Sequence, residues 1–454
     1  MRRSWAAAAA GLAAAAVVAL AGAAGPAPAS PAGRAAAGPP PMGWSSWSYL
    51  RRDPTAAGIE AQARALVSSG LAARGYRYVN IDDFWMACDA YGPEVDSYGR
   101  WKPDRAAFPA GIAAVARRVH AAGLKLGLYV TPGIPANAVR LNTPVRGTAL
   151  TARQIADTSV TETNYDCGNM YGLDYGTPGA QAYLDSWADE LAGWGVDYLK
   201  LDGVGTGDIA DIAAWSAALR QTGRPIVLEL SNTLARSRAA RWAELADGWR
   251  TTGDIECYSC EKDGSSFPLT DWGHVASRLN AVARWQPYGG RHGWNDEDSL
   301  EIGNGAADGL TFPERQTAMA LWSLGGAPLI LGANLTRLDP ADLALLDNRA
   351  VIAIDQDGIA ARRVLRHGSE QVFVKEQPGG TWYIGIFNTD TSADRTFRVG
   401  LARIGLSHAI AATDVWTGAA LGILRGQYTT TVAPGGVSLI EARLIPGVGL
   451  LARP

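Results

Sequence analysis

The sequence predicts a (β/α)8 barrel followed by a C-terminal antiparallel β-sandwich. From Pro41 to Asp357, short apolar strands alternate with helical patterns, eight times over. Charged residues collect at the carboxyl ends of those strands, where a barrel carries its active site. Beyond Asp357 the helical periodicity stops, and strand-like runs separated by turn residues remain. A doubly wound open sheet is the competing architecture, but no G-x-G-x-x-G follows the first strand.

The barrel strands read as PMGWSSW (41–47), YRYVNIDD (76–83), KLGLYVTP (125–132), VDYLKLDG (196–203), RPIVLELS (224–231), GWRTTGDI (248–255), HGWNDEDSL (292–300) and APLILGAN (327–334). Between them lie amphipathic helices. Ile112, Val115, Ala116 and Val119 share one face of a helix that stops at Gly123. Thr177 caps another, Pro178 takes its first position, and Leu184, Trp187, Ala188 and Leu191 form its apolar stripe. The segment 133–177, between the third strand and its helix, is long for such a connection and is expected to cover the barrel mouth. Cys167 within it fits a pinned flap. The barrel is bounded at 41–357 and the sandwich at 358–446, with a tail over 447–454. The sandwich runs through QVFVKEQ, TWYIGIFN, RTFRVGL, ATDVWTG, QYTTTVA and VSLIEARLI.

At the N-terminus, Arg2 and Arg3 precede an Ala/Val/Leu run, and A-x-A-like sites lie near Ala24 and Ala29. This reads as a secretory signal peptide over 1–29 and a Pro/Ala-rich spacer over 30–40. The expectation is a secreted protein with no membrane contact after cleavage. A membrane anchor is the rival reading, though the run is only weakly hydrophobic. The four cysteines, Cys88, Cys167, Cys257 and Cys260, are expected in disulfides, with the pairing open. Cys257 and Cys260 have C-x-x-C spacing, but no second ligand pair completes a metal knuckle.

A formal net charge of −3 gives no signal for nucleic acid. His120, His274, His292, His367 and His408 form no H-E-x-x-H pattern, and neither a G-x-S-x-G elbow nor a phosphate-binding loop is present. The chain carries 16 Trp against 7 Phe, which suits sugar stacking as well as ordinary cores.

Lys200 and Asp202 lie two residues apart on an apolar strand, so both face one side, the barrel mouth. Asp202 is the candidate nucleophile, kept ionised by Lys200; an internal salt bridge is the plain alternative. In GWRTTGDI, Arg250, Thr252 and Asp254 alternate toward the axis, and Asp254 is the candidate acid/base. Two carboxyl groups about 5–5.5 Å apart imply a retaining glycosidase. Asp82 and Asp83 share one pocket only if their strand bends or ends there, and then bind sugar hydroxyls or a cation such as Ca²⁺. Trp44, Trp47 and Trp85 are candidate stacking walls, and Tyr129 adds a hydroxyl. This chemistry needs no metal or organic cofactor.

These segments resemble glycoside hydrolase family twenty-seven, the α-galactosidase (melibiase) and α-N-acetylgalactosaminidase family. MGWSSW, GYRYVNIDDFW, FPAGIAAVARRVHAAGLKLGLY, WGVDYLKLDG, GWRTTGDI, GWNDEDSLEIGNG, APLILGANL and VIAIDQD occur in family order. The resemblance implies a barrel with a C-terminal β-domain and a retaining exo-glycosidase acting on terminal α-galactosyl groups of a glycoside, oligosaccharide or polysaccharide. It implies Asp202 as nucleophile and Asp254 as acid/base. Asp82 and Asp83 then grip the 4- and 6-hydroxyls, Lys200 contacts ring hydroxyls, Arg250 lies near the 2-position, and Trp47 and Tyr129 wall the pocket. Asp298 matches the aspartate of the W-N-D-x-D segment. Ser231 stands where many members carry a glutamate that reads the 2-hydroxyl; the N-acetyl-sugar branch also has serine there. Phe84 and Val204 replace family cysteines. The same mechanism on an α-N-acetylgalactosaminide, a β-L-arabinopyranoside or an isomaltosyl unit is the alternative, as is a silent carbohydrate-binding protein.

Overall fold

The computed structural model describes residues 38–449, except Thr163, Asp263 and Arg291. The signal-peptide reading, most of the spacer and the last five residues of the tail lie outside these residues.

Eight parallel strands form the barrel: β1 (Met42–Ser45), β2 (Tyr78–Ile81), β3 (Lys125–Val130), β4 (Val196–Leu201), β5 (Val227–Leu230), β6 (Gly248–Arg250), β7 (Trp294–Asp296) and β8 (Leu329–Leu331). They are hydrogen-bonded in the order β7-β6-β5-β4-β3-β2-β1-β8. The ring closes where Leu300 bridges Leu331, with Leu300 N donating to Ile330 O at 2.7 Å. Gly43 lets β1 and β2 approach closely; a Cβ there would stand 2.2 Å from Tyr78 O.

The main helices follow the strands: α1 (Ala56–Ser68), α2 (Ile112–Ala121), α3 (Pro178–Trp194), α4 (Ile209–Gln221), α5 (Ala239–Leu245), α6 (Trp272–Trp285), α7 (Phe312–Gly325) and α8 (Arg349–Gln356). Their ends are chemically marked. Thr55 caps α1 through Gly58 N, Pro178 opens α3, and Thr311 with Glu314 forms a capping box on α7. The helices bury their apolar faces against the sheet. Five tryptophans run in sequence through this layer, Trp194, Trp85, Trp101, Trp187 and Trp215. Successive ring centroids lie 6.0, 5.9, 5.4 and 5.5 Å apart.

Several strands are shorter than the sequence pattern. The run through Asp254 ends as strand at Arg250, and that through Asp298 ends at Asp296. A ladder extends only as far as its neighbours, and β6 is paired through Glu229↔Gly248 on one side and Arg250↔Asp296 on the other. Asp254 and Asp298 therefore stand on loops beyond the strand ends, and Thr252 to Asp254 do not continue the alternation.

The second domain is an antiparallel sandwich. Its larger sheet has the order β9 (Arg362–His367), β10 (Glu370–Glu376), β11 (Thr381–Asn388), β16 (Val437–Gly449), β13 (His408–Asp414) and β14 (Ala420–Leu424). β12 (Arg395–Gly400) pairs with β15 (Gln427–Val432) to cover one face. The other face joins the barrel core: Phe373, Tyr383, Phe387 and Leu439 pack in one buried cluster with Leu321, Trp322 and Leu324. Gly38 O accepts from Trp294 Nε1 and Pro40 O from Gln356 Nε2, while β16 runs to Gly449.

Two disulfides are formed, Cys88–Cys167 and Cys257–Cys260. The first ties the segment after β2 to the flap. The flap holds a three-stranded sheet of Ile134–Pro135, Met170–Leu173 and Ala156–Glu162. It begins at Gly133, whose φ of +86° and tight contacts with Tyr171 O and Glu162 leave no room for a side chain.

Candidate active site

The strand ends open into one cavity of about 740 Å³. It is lined by Trp47, Asp82, Asp83, Tyr129, Lys200, Asp202, Arg250, Asp254 and Asp298, and also by Tyr165, Asn232, Glu256 and Tyr258.

Its floor is built from inward-facing strand residues. Tyr198, Lys200 and Asp202 follow one another at period two, and Lys200 lies opposite Glu229 on β5. Tyr198 donates to Glu229, and burial with Asp296 alongside pushes that carboxyl well above its usual range. Lys200 Nζ donates to Asp82 Oδ2 at 2.8 Å and lies 5.6 Å from the Tyr129 ring centroid. The Lys200 hydrogen bond thus goes to Asp82, whereas the plain salt-bridge alternative had paired it with Asp202; Asp202 acts on Lys200 through its charge. Burial works against the ammonium, but Asp82, Asp202 and Asp298 outweigh it and hold Lys200 charged.

Asp82 and Asp83 reach the same cavity because the chain turns sharply after β2. Asp83 N donates to Asp82 Oδ1 at 2.9 Å, Phe84 N donates to Asp83 Oδ1 at 2.7 Å, and Phe84 has φ +66°. Burial pushes Asp83 up to about 7, opposed by the Phe84 amide and helped by Asp82 and Asp202. The Tyr129 hydroxyl is buried with no hydrogen-bond partner among the described residues, and the residue lines the cavity.

Arg250 organises the opposite wall. Its Nη2 meets Asp254 Oδ1 at 3.0 Å and Asp298 Oδ2 at 2.9 Å, and its Nη1 meets Ser231 Oγ at 3.4 Å. Ser231 is buried behind this guanidinium, and the next residue, Asn232, lines the cavity. Asp298, at φ +78°, also accepts from Ile255 N at 2.8 Å and so anchors the loop carrying Asp254. Asp254 is half exposed. Burial raises its proton affinity, but Arg250, a hydrogen bond from Tyr258 and Lys200 outweigh this and bring it below the usual carboxylate range. Carboxylate oxygens of Asp254, Glu256 and Asp298 come within 4.8 Å of one another, and Arg250 is the cation meeting two of them.

Of the three candidate stacking tryptophans, Trp47 lines the cavity. Trp44 and Trp85 are fully buried and donate to Ala333 O and Tyr129 O, so they belong to the core. Tyr165, on the flap, and Tyr258 were not singled out by the sequence. Tyr258 sits inside the C-x-x-C spacing four residues after Asp254, which was the available signal.

A barrel whose mouth gathers carboxylates, a lysine, an arginine and aromatic walls, with a β-sandwich behind it, is that of a glycoside hydrolase. Residues 39–171 and 146–357 match the model described as alpha galactosidase A, and residues 367–442 match the alpha galactosidase C-terminal beta sandwich domain. An α-galactosidase of Oryza sativa subsp. japonica is 30% identical over 403 residues, covering 87% of this chain and 82% of that protein. An α-N-acetylgalactosaminidase of Gallus gallus is 30% identical over 426 residues, covering 88% and 92%. A β-L-arabinopyranosidase structure from Geobacillus stearothermophilus superposes with a TM-score of 0.81 at 30% identity, over 91% of this chain and 98% of that one. The chain belongs to glycoside hydrolase family twenty-seven, the α-galactosidase family.

Proposed function

We propose that this enzyme is a secreted, retaining exo-glycosidase that removes terminal α-D-galactosyl residues by double displacement. In the first step an Asp202 oxygen bonds to C1 as the C1–O bond to the leaving group breaks. Asp254 gives its proton to the departing oxygen. In the second, Asp254 takes a proton from water, whose oxygen bonds to C1 as the ester to Asp202 breaks. Asp82, Asp83 and Lys200 bind the sugar hydroxyls, Trp47 and Tyr129 wall the sugar, and Arg250 and Asp298 set the acid/base loop. The observation that carries this reading is that Asp202, after β4, and Asp254, after β6, line one cavity with Lys200 and Arg250 beside them. Secretion is supported by the Arg2-Arg3 start and Ala-rich run alone, and is checked by the mass of the mature protein in culture medium.

The test uses an aryl α-galactoside. Asp202→Asn is expected to lose at least about 10³-fold in kcat. A 2-deoxy-2-fluorogalactosyl label should appear on the peptide containing Asp202. Turnover near the wild-type rate in that variant, or a product of inverted configuration, overturns the mechanism. Similarity to a β-L-arabinopyranosidase supports a second reading, the same chemistry on β-L-arabinopyranosides. Relative kcat/KM on the two aryl glycosides decides between them.

A further inference from the structure

We propose that Tyr258 is a positioning residue for Asp254: its phenol, oriented by Trp47 and bracketed by the Cys257–Cys260 disulfide, is committed as a hydrogen-bond donor to that carboxylate. This rests on the assignment of Asp254 as acid/base.

The geometry fixes the direction of each hydrogen bond. Trp47 Nε1 lies 2.9 Å from Tyr258 Oη, and an indole N–H only donates. The phenol oxygen is therefore an acceptor toward Trp47. Its own hydrogen is left for Asp254 Oδ2, 2.8 Å away. With Oδ1 on Arg250, both oxygens of Asp254 are held by donors. The ring is held as well: the Arg51 guanidinium lies 5.0 Å from its centroid and 5.7 Å from that of Trp47, and Arg51 is paired with Glu261 at 2.8 Å. Cys257 is buried, its N donates to Leu269 O at 2.9 Å, and the disulfide to Cys260 closes a short loop around Tyr258.

A donor to a carboxylate favours its ionised form. Tyr258 thus stabilises Asp254 once it has given up its proton, and opposes its acid form in the empty site. The other charged or titratable groups facing Asp254 are Arg250, Lys200, Asp298, Glu256 and Tyr165; Tyr258 itself faces Arg51 and Glu256. Tyr258 is the phenol that donates directly to Asp254, and that contribution is removed by deleting one oxygen.

The experiment measures the pH profile of kcat/KM on an aryl α-galactoside. Tyr258→Phe keeps the ring beneath Arg51 and loses the donor. The alkaline limb, which reports the free-enzyme acid, is expected to move up by about one pH unit. Trp47→Phe, which frees the phenol to rotate, and the Cys257→Ser/Cys260→Ser double variant should move it the same way by less. An unmoved limb in Tyr258→Phe, with near-ultraviolet circular dichroism showing native packing, overturns the proposal. Asp254→Ala separates the two assignments. If it abolishes the limb while Tyr258→Phe leaves it in place, Tyr258 alone is wrongly assigned. If Asp254→Ala retains the limb, the acid/base assignment falls and this proposal with it.

Discussion

Arg250 holds two carboxylates with one nitrogen, Asp254 at 3.0 Å and Asp298 at 2.9 Å, from a position almost wholly buried. A lysine there has a shorter reach and no planar fork. Arg250→Lys is expected to lower kcat/KM by about 10–100-fold while Tm falls only slightly, because the loop carrying Asp254 loses its shared anchor. Steady-state kinetics beside a thermal melt check it, and a variant with unchanged kcat/KM rules it out. At this scale the sequence was readable where a strand imposes its own period. Lys200 and Asp202 share a face because alternate strand residues do. The Asp82-Asp83 pair was ambiguous, since the turn that brings both to the cavity depends on the left-handed backbone at Phe84. Trp44, Trp47 and Trp85 are chemically alike in sequence, and only tertiary packing decides which one meets the cavity. Tyr258 approaches from a loop, whose direction no periodicity encodes.

The flap is the element with the most independent structure. Cys88–Cys167 spans 79 residues and fixes the end that carries Tyr165, a residue lining the cavity and lying in the field of Asp202 and Asp254. Opening that link with Cys88→Ser/Cys167→Ser is expected to raise KM about tenfold, with a smaller change in kcat. Limited proteolysis should then cut first within 133–177. A variant as protease-resistant as wild type, with unchanged KM, ends this expectation. The length of the segment and the placing of Cys167 made a pinned flap readable. Its three-stranded sheet was not, because the strands are two, four and seven residues long and lack a sustained period. The overlong strand readings at Arg250 and Asp296 have a related cause: alternation is local, whereas a ladder needs a partner.

Across the whole molecule, buried acids tilt stability toward mildly acidic conditions. Burial first, then neighbouring carboxylates or hydrogen bonds of either sign, places Asp83, Glu256, Glu297 and Asp308 at about 7. In the unfolded chain these groups titrate near 4. Between those values the native state binds protons that the unfolded chain releases, so stability is full at the acid end and declines as pH rises toward 7 and above. Asp89, Asp157, Asp347 and Asp390 are lowered, chiefly by side-chain hydrogen bonds, and their contribution is lost only below the unfolded range. Tm at pH 5 is therefore expected to exceed Tm at pH 8 by roughly 5 °C. A calorimetric series across that interval tests it, and an equal or higher Tm at pH 8 refutes it. The barrel and sandwich were readable as successive domains from the loss of helical period after Asp357. Their shared core was not, because the contacts between Phe387 or Leu439 and α7 join segments far apart in the chain.

The row of indoles through the helical layer has an optical consequence. Rings spaced this closely exchange excitation energy, so light absorbed by Trp215 or Trp194 migrates among all five. Trp85 belongs to that relay and is tied to the backbone of Tyr129, which lines the cavity. These five of the 16 tryptophans therefore contribute an emission that reports on the depths of the barrel without any attached dye.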